Sequence, residues 1–189
     1  TTRMKDLNDD GVIDSKGKTY IGNPNPDFLF GITNNVSYKN FDLGVVISGS
    51  YGADMFVHRG WNEILEGNFN VRRELKDRWR SEENPGAGIH ARSLSGTAAF
   101  GRFTSSKWLF PASYLTIKNI TLGYTLPKLH KALKQARIYA SIQQALVLTN
   151  YVGVNPEASK NGLDGLKLGF DGTAYPIPRT FALGLNATF

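Results

Sequence analysis

The chain has 189 residues, 41% of them hydrophobic, and contains no run of about 18 apolar residues, which excludes a membrane-crossing helix but not a β-barrel, whose strands turn one face to a polar lumen. The net charge of +6 is dispersed. Arg72, Arg73, Lys76, Arg78 and Arg80 lie in one segment and Lys128, Lys131 and Lys134 in another, with no recognisable DNA or RNA module, so no nucleic-acid partner is expected. The absence of cysteine removes disulfides and thiolate metal sites.

Thr1-Thr2-Arg3-Met4 lacks the apolar core of a signal peptide, and the first feature after it is a loop, as expected of a piece of something longer. In that loop Asp6, Asn8, Asp10, the Val12 carbonyl and Asp14 stand where a calcium loop of the EF-hand type places oxygens, with Gly11 at the sharp turn. The position that should bring a bidentate Glu is Gly17, which leaves the set short of the about six to eight oxygens Ca²⁺ takes. Two readings stand: a Ca²⁺ site completed by water or a neighbouring loop, and an Asx-turn cluster that needs its glycine.

Residues 28–38 alternate, with Phe28, Phe30, Ile32, Val36 and Tyr38 on one face, interrupted by Asn34. After Lys39-Asn40 the alternation resumes with Phe41, Leu43, Val45, Ile47 and Tyr51, which predicts a β-hairpin with aromatics at both strand ends. Residues 52–112 break the rhythm and read as a long loop insertion, helix-compatible from Trp61 to Arg80 and irregular from Ser81 to Ser106. A strand is predicted over 113–126, with Ile120, Leu122, Tyr124 and Leu126 on one face. Leu115 and Ile117 have the opposite parity, so Lys118-Asn119 marks a bulge or a change of environment. Further strands are predicted over 136–148 and 178–189, joined by a second long loop. The last alternates Phe181, Leu183, Leu185, Ala187 and Phe189 against Thr180, Ala182, Gly184, Asn186 and Thr188, and stops on its final aromatic.

Taken alternately, the connectors at 39–40 and 127–135 fall on one side with Phe189, and the loops at 1–27, 52–112 and 149–177 on the other. Short turns on the periplasmic side and long loops outside characterise outer-membrane barrels. The expected fold is therefore all-β: an antiparallel transmembrane barrel segment of five strands with long extracellular loops, one partly helical. Five strands cannot close in lipid, so 1–189 is expected to be the C-terminal part of a larger barrel. The alternative is a soluble, secreted β-sheet carbohydrate-binding module with a calcium-loop-like turn.

The segments resemble the SusC/RagA family of TonB-dependent outer-membrane transporters. The resemblance is carried in order by Asp6-Leu-Asn-Asp-Asp-Gly-Val-Ile-Asp14, Ile21-Gly-Asn-Pro-Asn-Pro-Asp-Phe28, Ser113-Tyr-Leu-Thr-Ile-Lys-Asn-Ile-Thr-Leu-Gly-Tyr-Thr-Leu-Pro127, Arg137-Ile-Tyr139, Gly153-Val-Asn-Pro-Glu157 and Tyr175-Pro-Ile-Pro-Arg-Thr-Phe181 with the terminal Asn186-Ala-Thr-Phe189. Gln144, where the family often has Asn, and Asn155, where Asp is common, depart from the pattern. The resemblance implies a barrel of about 22 strands with an N-terminal plug. It also implies a location in the outer membrane of a Gram-negative bacterium, a SusD-like surface lipoprotein partner, and import of glycans or peptides energised by TonB. Phe189 would then belong to the signal read by the barrel-assembly machinery.

Catalysis has little support. His58, His90 and His130 lack partners at ligand spacing, and nothing fixes the separation of Glu82 and Glu83 or of Asp164 and Asp171, so an enzyme is not expected. Trp61, Trp79, Trp108, Phe100 and Phe103 lie in or beside the long loop. They fit either a sugar-stacking platform or packing of the loop on itself and against a lipoprotein lid.

Overall fold

The computed structural model describes residues 5–57, 73–90, 105–127, 133–157, 168–172 and 175–189. Eight strands occur in these residues: β1 (Phe28–Tyr38), β2 (Phe41–Tyr51), β3 (Asp54–Val57), β4 (Leu109–Pro111), β5 (Tyr114–Leu126), β6 (Gln135–Thr149), β7 (Phe170–Asp171) and β8 (Thr180–Thr188). Five of them form one antiparallel sheet in the order β1-β2-β5-β6-β8, and a small second sheet has the order β4-β3-β7.

The large sheet is made of the five expected strands, each within two residues of its expected bounds. β8 ends at Thr188, one residue short of Phe189. The short strands β3, β4 and β7 fall inside the two segments expected to be loops; strands this short offer no alternation to read. In the stretch expected to be helix-compatible, the described residues hold a 3₁₀ turn at Arg73–Asp77; 58–72 lie outside the described residues.

The chain divides into two compact units, one of Thr1–Gly22 with Phe56–Leu109 and one of Asn23–Met55 with Phe110–Phe189. The first is loop-rich. Among the described residues its buried side chains are Val57, Leu75 and Trp108, and Lys107 Nζ stands 4.7 Å from the Trp108 ring centroid. Asp14 caps the 3₁₀ turn Ser15–Gly17 by accepting from Lys16 N at 2.7 Å. The second unit contains the large sheet.

Register runs unbroken through most of that sheet. Tyr38 faces Phe41, Phe41 faces Tyr124, Tyr124 faces Ile138, and Ile138 faces Leu185. The Lys39-Asn40 turn, with Lys39 at φ 53°, therefore lies at the same end as the β5–β6 connector and Thr188, whose carbonyl accepts from Lys134 N at 2.8 Å. The long segments leave from the opposite end.

Candidate functional site

Because directly paired residues share a face, the register assigns one surface of the sheet strand by strand. Phe28, Phe30, Ile32 and Val36 of β1 lie with Leu43, Val45 and Ile47 of β2. The face continues through Leu115, Ile117, Ile120 and Leu122 of β5, then Ile138, Ile142, Leu146 and Leu148 of β6. Phe181, Leu183 and Leu185 of β8 complete it, with relative exposures of 70%, 86% and 66%. It is an apolar surface interrupted on β1 by Asn34 and uncovered at the β8 edge. Aromatics bound it at both ends: Phe28 stacks on Tyr51 with centroids 5.3 Å apart, and Phe41 packs on Tyr124 at 4.7 Å. From Phe28 to Tyr38 the eleven residues of β1 span about 33 Å, or about 25 Å across a membrane at a tilt of ~40°, which matches the apolar band of a transmembrane barrel.

The parity switch in β5 is a bulge. Pairing shifts between Ile117 and Asn119, and Lys118 is the extra residue. Leu115 and Ile117 consequently stay on the apolar side with Ile120, although they differ from it in parity. A second irregularity lies opposite, at Gln144 of β6, which takes φ 51°. The Gln144 Oε1 is buried without a hydrogen-bond partner among the described residues.

The other face is mostly polar or small. Near the short-turn end Arg137 Nε donates to Asp42 Oδ1 at 2.9 Å, and a second guanidinium nitrogen pairs with Asp42 Oδ2. This pair closes over Gly123, where a Cβ would collide with both side chains. The Tyr139 ring lies against Gly184 in the same way, and the Arg137 guanidinium sits 5.2 Å from its centroid. Toward the other end Thr116, with no exposed surface, donates from Oγ1 to Glu157 Oε1 at 2.6 Å, and Lys118 pairs with Glu157 Oε2. Asn155 Oδ1 accepts from Glu157 N at 2.9 Å, so the Asn-Pro-Glu turn aims the carboxylate at the strand. A few residues away Tyr151 Oη donates to Asp171 Oδ2 at 2.6 Å, both side chains buried. The Glu157 clasp and the Tyr151–Asp171 bond were not legible as sites: their partners are tens of residues apart, and no local spacing links them.

In the loop at 6–14 the carboxylates turn inward on their own backbone. Gly11 N donates to Asp6 Oδ2 at 2.7 Å, Val12 N to Asp10 Oδ1 at 2.9 Å and Asn8 Nδ2 to Asp10 Oδ2 at 2.7 Å. Asp9 and Gly11 take positive φ, 54° and 79°, which is where the glycine is required. Among the described residues no three His, Cys, Asp or Glu side chains converge as a metal cluster. Asp6, Asn8, Asp10 and the Gly11 and Val12 amides thus form a hydrogen-bonded turn, and Asp14 caps the 3₁₀ turn that follows. Of the loop aromatics, Trp79 is half-buried, and its backbone N–H donates to the His90 carbonyl at 3.0 Å. Trp61, Phe100 and Phe103 lie outside the described residues. Phe189 is exposed beyond the end of β8.

No family model matches the chain. Among curated proteins it is 31% identical over 194 residues to TonB-dependent receptor P26 of Formosa agariphila, covering 99% of this chain and 19% of that protein. It is likewise 31% identical over 188 residues to TonB-dependent receptor SusC of Bacteroides thetaiotaomicron, covering 97% and 17%. The fold matches a chain of the RagAB peptide transporter with a TM-score of 0.73 at 21% identity, over 94% of this chain and 19% of that one. The RagAB peptide importer in its closed-closed state gives 0.69 at 22% identity, over 95% and 20%. The chain spans about a fifth of the length of these proteins. Two opposed faces, short turns at one end and relatives found along nearly its whole length lead to one family: the chain belongs to the SusC/RagA TonB-dependent receptors, as a portion of their longer sequence.

Proposed function

We propose that the chain is the C-terminal wall of an outer-membrane barrel in a TonB-dependent nutrient importer. Its apolar face meets lipid, its polar face lines the lumen, and its long segments reach outside the cell. The observation that carries this is the apolar surface, broken only by Asn34 on β1, bounded by aromatics that a tilt of ~40° would set about 25 Å apart across the membrane, the dimension of the hydrocarbon band around such barrels. The cargo class is glycan or peptide, drawn from the resemblance and from the neighbours' description as peptide importers. A SusD-like surface lipoprotein would be the external partner and TonB the energy source, acting through parts of the protein beyond this chain. The chain's own part is that of wall and loop, without catalysis. A soluble carbohydrate-binding module would need a second layer over Phe181, Leu183 and Leu185, which stand exposed instead.

Cysteine accessibility in the full-length receptor tests this directly. Single cysteines at Leu183 and Leu185 should resist a water-soluble maleimide and be reached by a lipid-borne quencher, while Ala182 and Asn186 show the reverse. Equal aqueous labelling at all four positions would reject a lipid-facing sheet.

A further inference from the structure

At the long-segment end of the apolar face the surface is grooved. A cleft of about 410 Å³ runs between the aromatic group Phe28, Phe30 and Tyr51 on β1 and β2 and the leucines Leu115 and Leu148 on β5 and β6. Gly49 of β2 shapes the aromatic wall: the Phe30 ring lies over that glycine, and the Tyr114 carbonyl approaches to 2.8 Å of where a Cβ would stand, so only a residue without a side chain lets Phe30 settle there. The lining is mainly apolar. Ser50 and Tyr114 also border it; of its hydroxyls, Ser113 Oγ accepts from Gly52 N, and Thr149 Oγ1 donates to the Ser113 carbonyl. Asn150 supplies amide polarity at the outer rim.

We infer that this groove seats one acyl chain of a lipid from the outer leaflet, held in a fixed position rather than exchanging as the surrounding lipid does; the inference rests on the membrane orientation proposed above. Three features select an acyl chain over other occupants. The groove opens on the apolar face, continuous with the surface that meets lipid. It lies inside the aromatic band, where chain ends and headgroups adjoin. Its walls offer mainly ring faces and leucine methyls, which suit a methylene chain and leave a peptide's backbone groups unpaired. Asn150 lies where a headgroup or its linkage would emerge.

The test is photolabelling of the full-length receptor in vesicles of phosphatidylethanolamine and phosphatidylglycerol, with a phosphatidylethanolamine that carries a diazirine on one acyl chain. Peptide mapping should show label concentrated several-fold on Phe30, Leu115 and Leu148 relative to Leu183 and Leu185, which face lipid without a groove. A Leu148→Trp variant, which fills the cleft, should lower that excess to the level of β8 with heat-modifiable mobility unchanged. Uniform labelling over the whole apolar face would overturn the groove and leave the membrane orientation standing. Silence of the groove residues beside labelled Leu183 and Leu185 would assign the cleft to a protein segment. No labelling anywhere on the face would overturn both proposals.

Discussion

Gln144 adopts a backbone conformation that glycine or asparagine takes at lower cost, and it leaves a buried amide oxygen unpartnered among the described residues. Gln144→Asn should therefore raise the unfolding free energy of the folded barrel by about 0.5–1 kcal/mol, and a β-branched Gln144→Val should lower it, as read from urea midpoints in detergent. Thr116 sits in the opposite situation, fully enclosed with its hydroxyl committed to Glu157. Thr116→Val keeps the shape and removes the donor, leaving the carboxylate to Lys118 alone. The expected cost is about 1–3 kcal/mol, together with faster proteolysis of 150–157. For the loop at Asp6–Asp14, an Asx-turn network predicts the same melting temperature with Ca²⁺ and with chelator, and a lower one in Asp10→Ala under both conditions, because Asp10 accepts from Val12 N and Asn8 Nδ2. A calcium-dependent rise that disappears in Asp10→Ala would instead assign the loop to a metal.

At the level of elements, β2 and β5 show what parity controls. Val45→Arg, near the middle of β2 on the apolar face, should cost roughly 2–4 kcal/mol, as should Leu185→Arg if it lies as deep; Val46→Arg, one residue on and pointing the other way, should be far better tolerated. Deleting Lys118 removes the residue that lets Leu115 and Ile117 share a face with Ile120, and the assembled fraction on a heat-modifiability gel should fall sharply. The five long strands were legible because each alternates over nine residues or more, and the Lys118 bulge because hydrophobic parity changes sign across it. The irregularity at Gln144 left no such trace. Ile142 and Leu146 keep the same parity through it, and only the backbone angle reveals it. β3, β4 and β7 were missed because two to four residues carry no period, and the Glu157 clasp because it joins positions 39 to 41 residues apart.

Across the molecule, β1 and β8 each pair on one side only among the described residues, so the large sheet is open at both edges. Unpaired strand edges beside an apolar face are not tolerated in water or in lipid, and residues 1–189 expressed alone should be recovered in aggregates or in detergent, not as a soluble monomer. A soluble, monodisperse product by size-exclusion chromatography would reject the barrel assignment. Phe189 follows the last strand and is exposed, free to engage another surface. Its deletion from the full-length protein should reduce assembled barrel more than total synthesis. Unchanged heat-modifiable mobility would leave it an ordinary aromatic of the rim.

Tyr139 lying flat on Gly184, and Arg137 folded over Gly123, keep tall side chains down against the sheet. Were that face to line the proposed lumen, wall thickness would set bore. Gly184→Ala would prop the phenol upright, so a single methyl on β8 would narrow the proposed passage while leaving every backbone hydrogen bond in place.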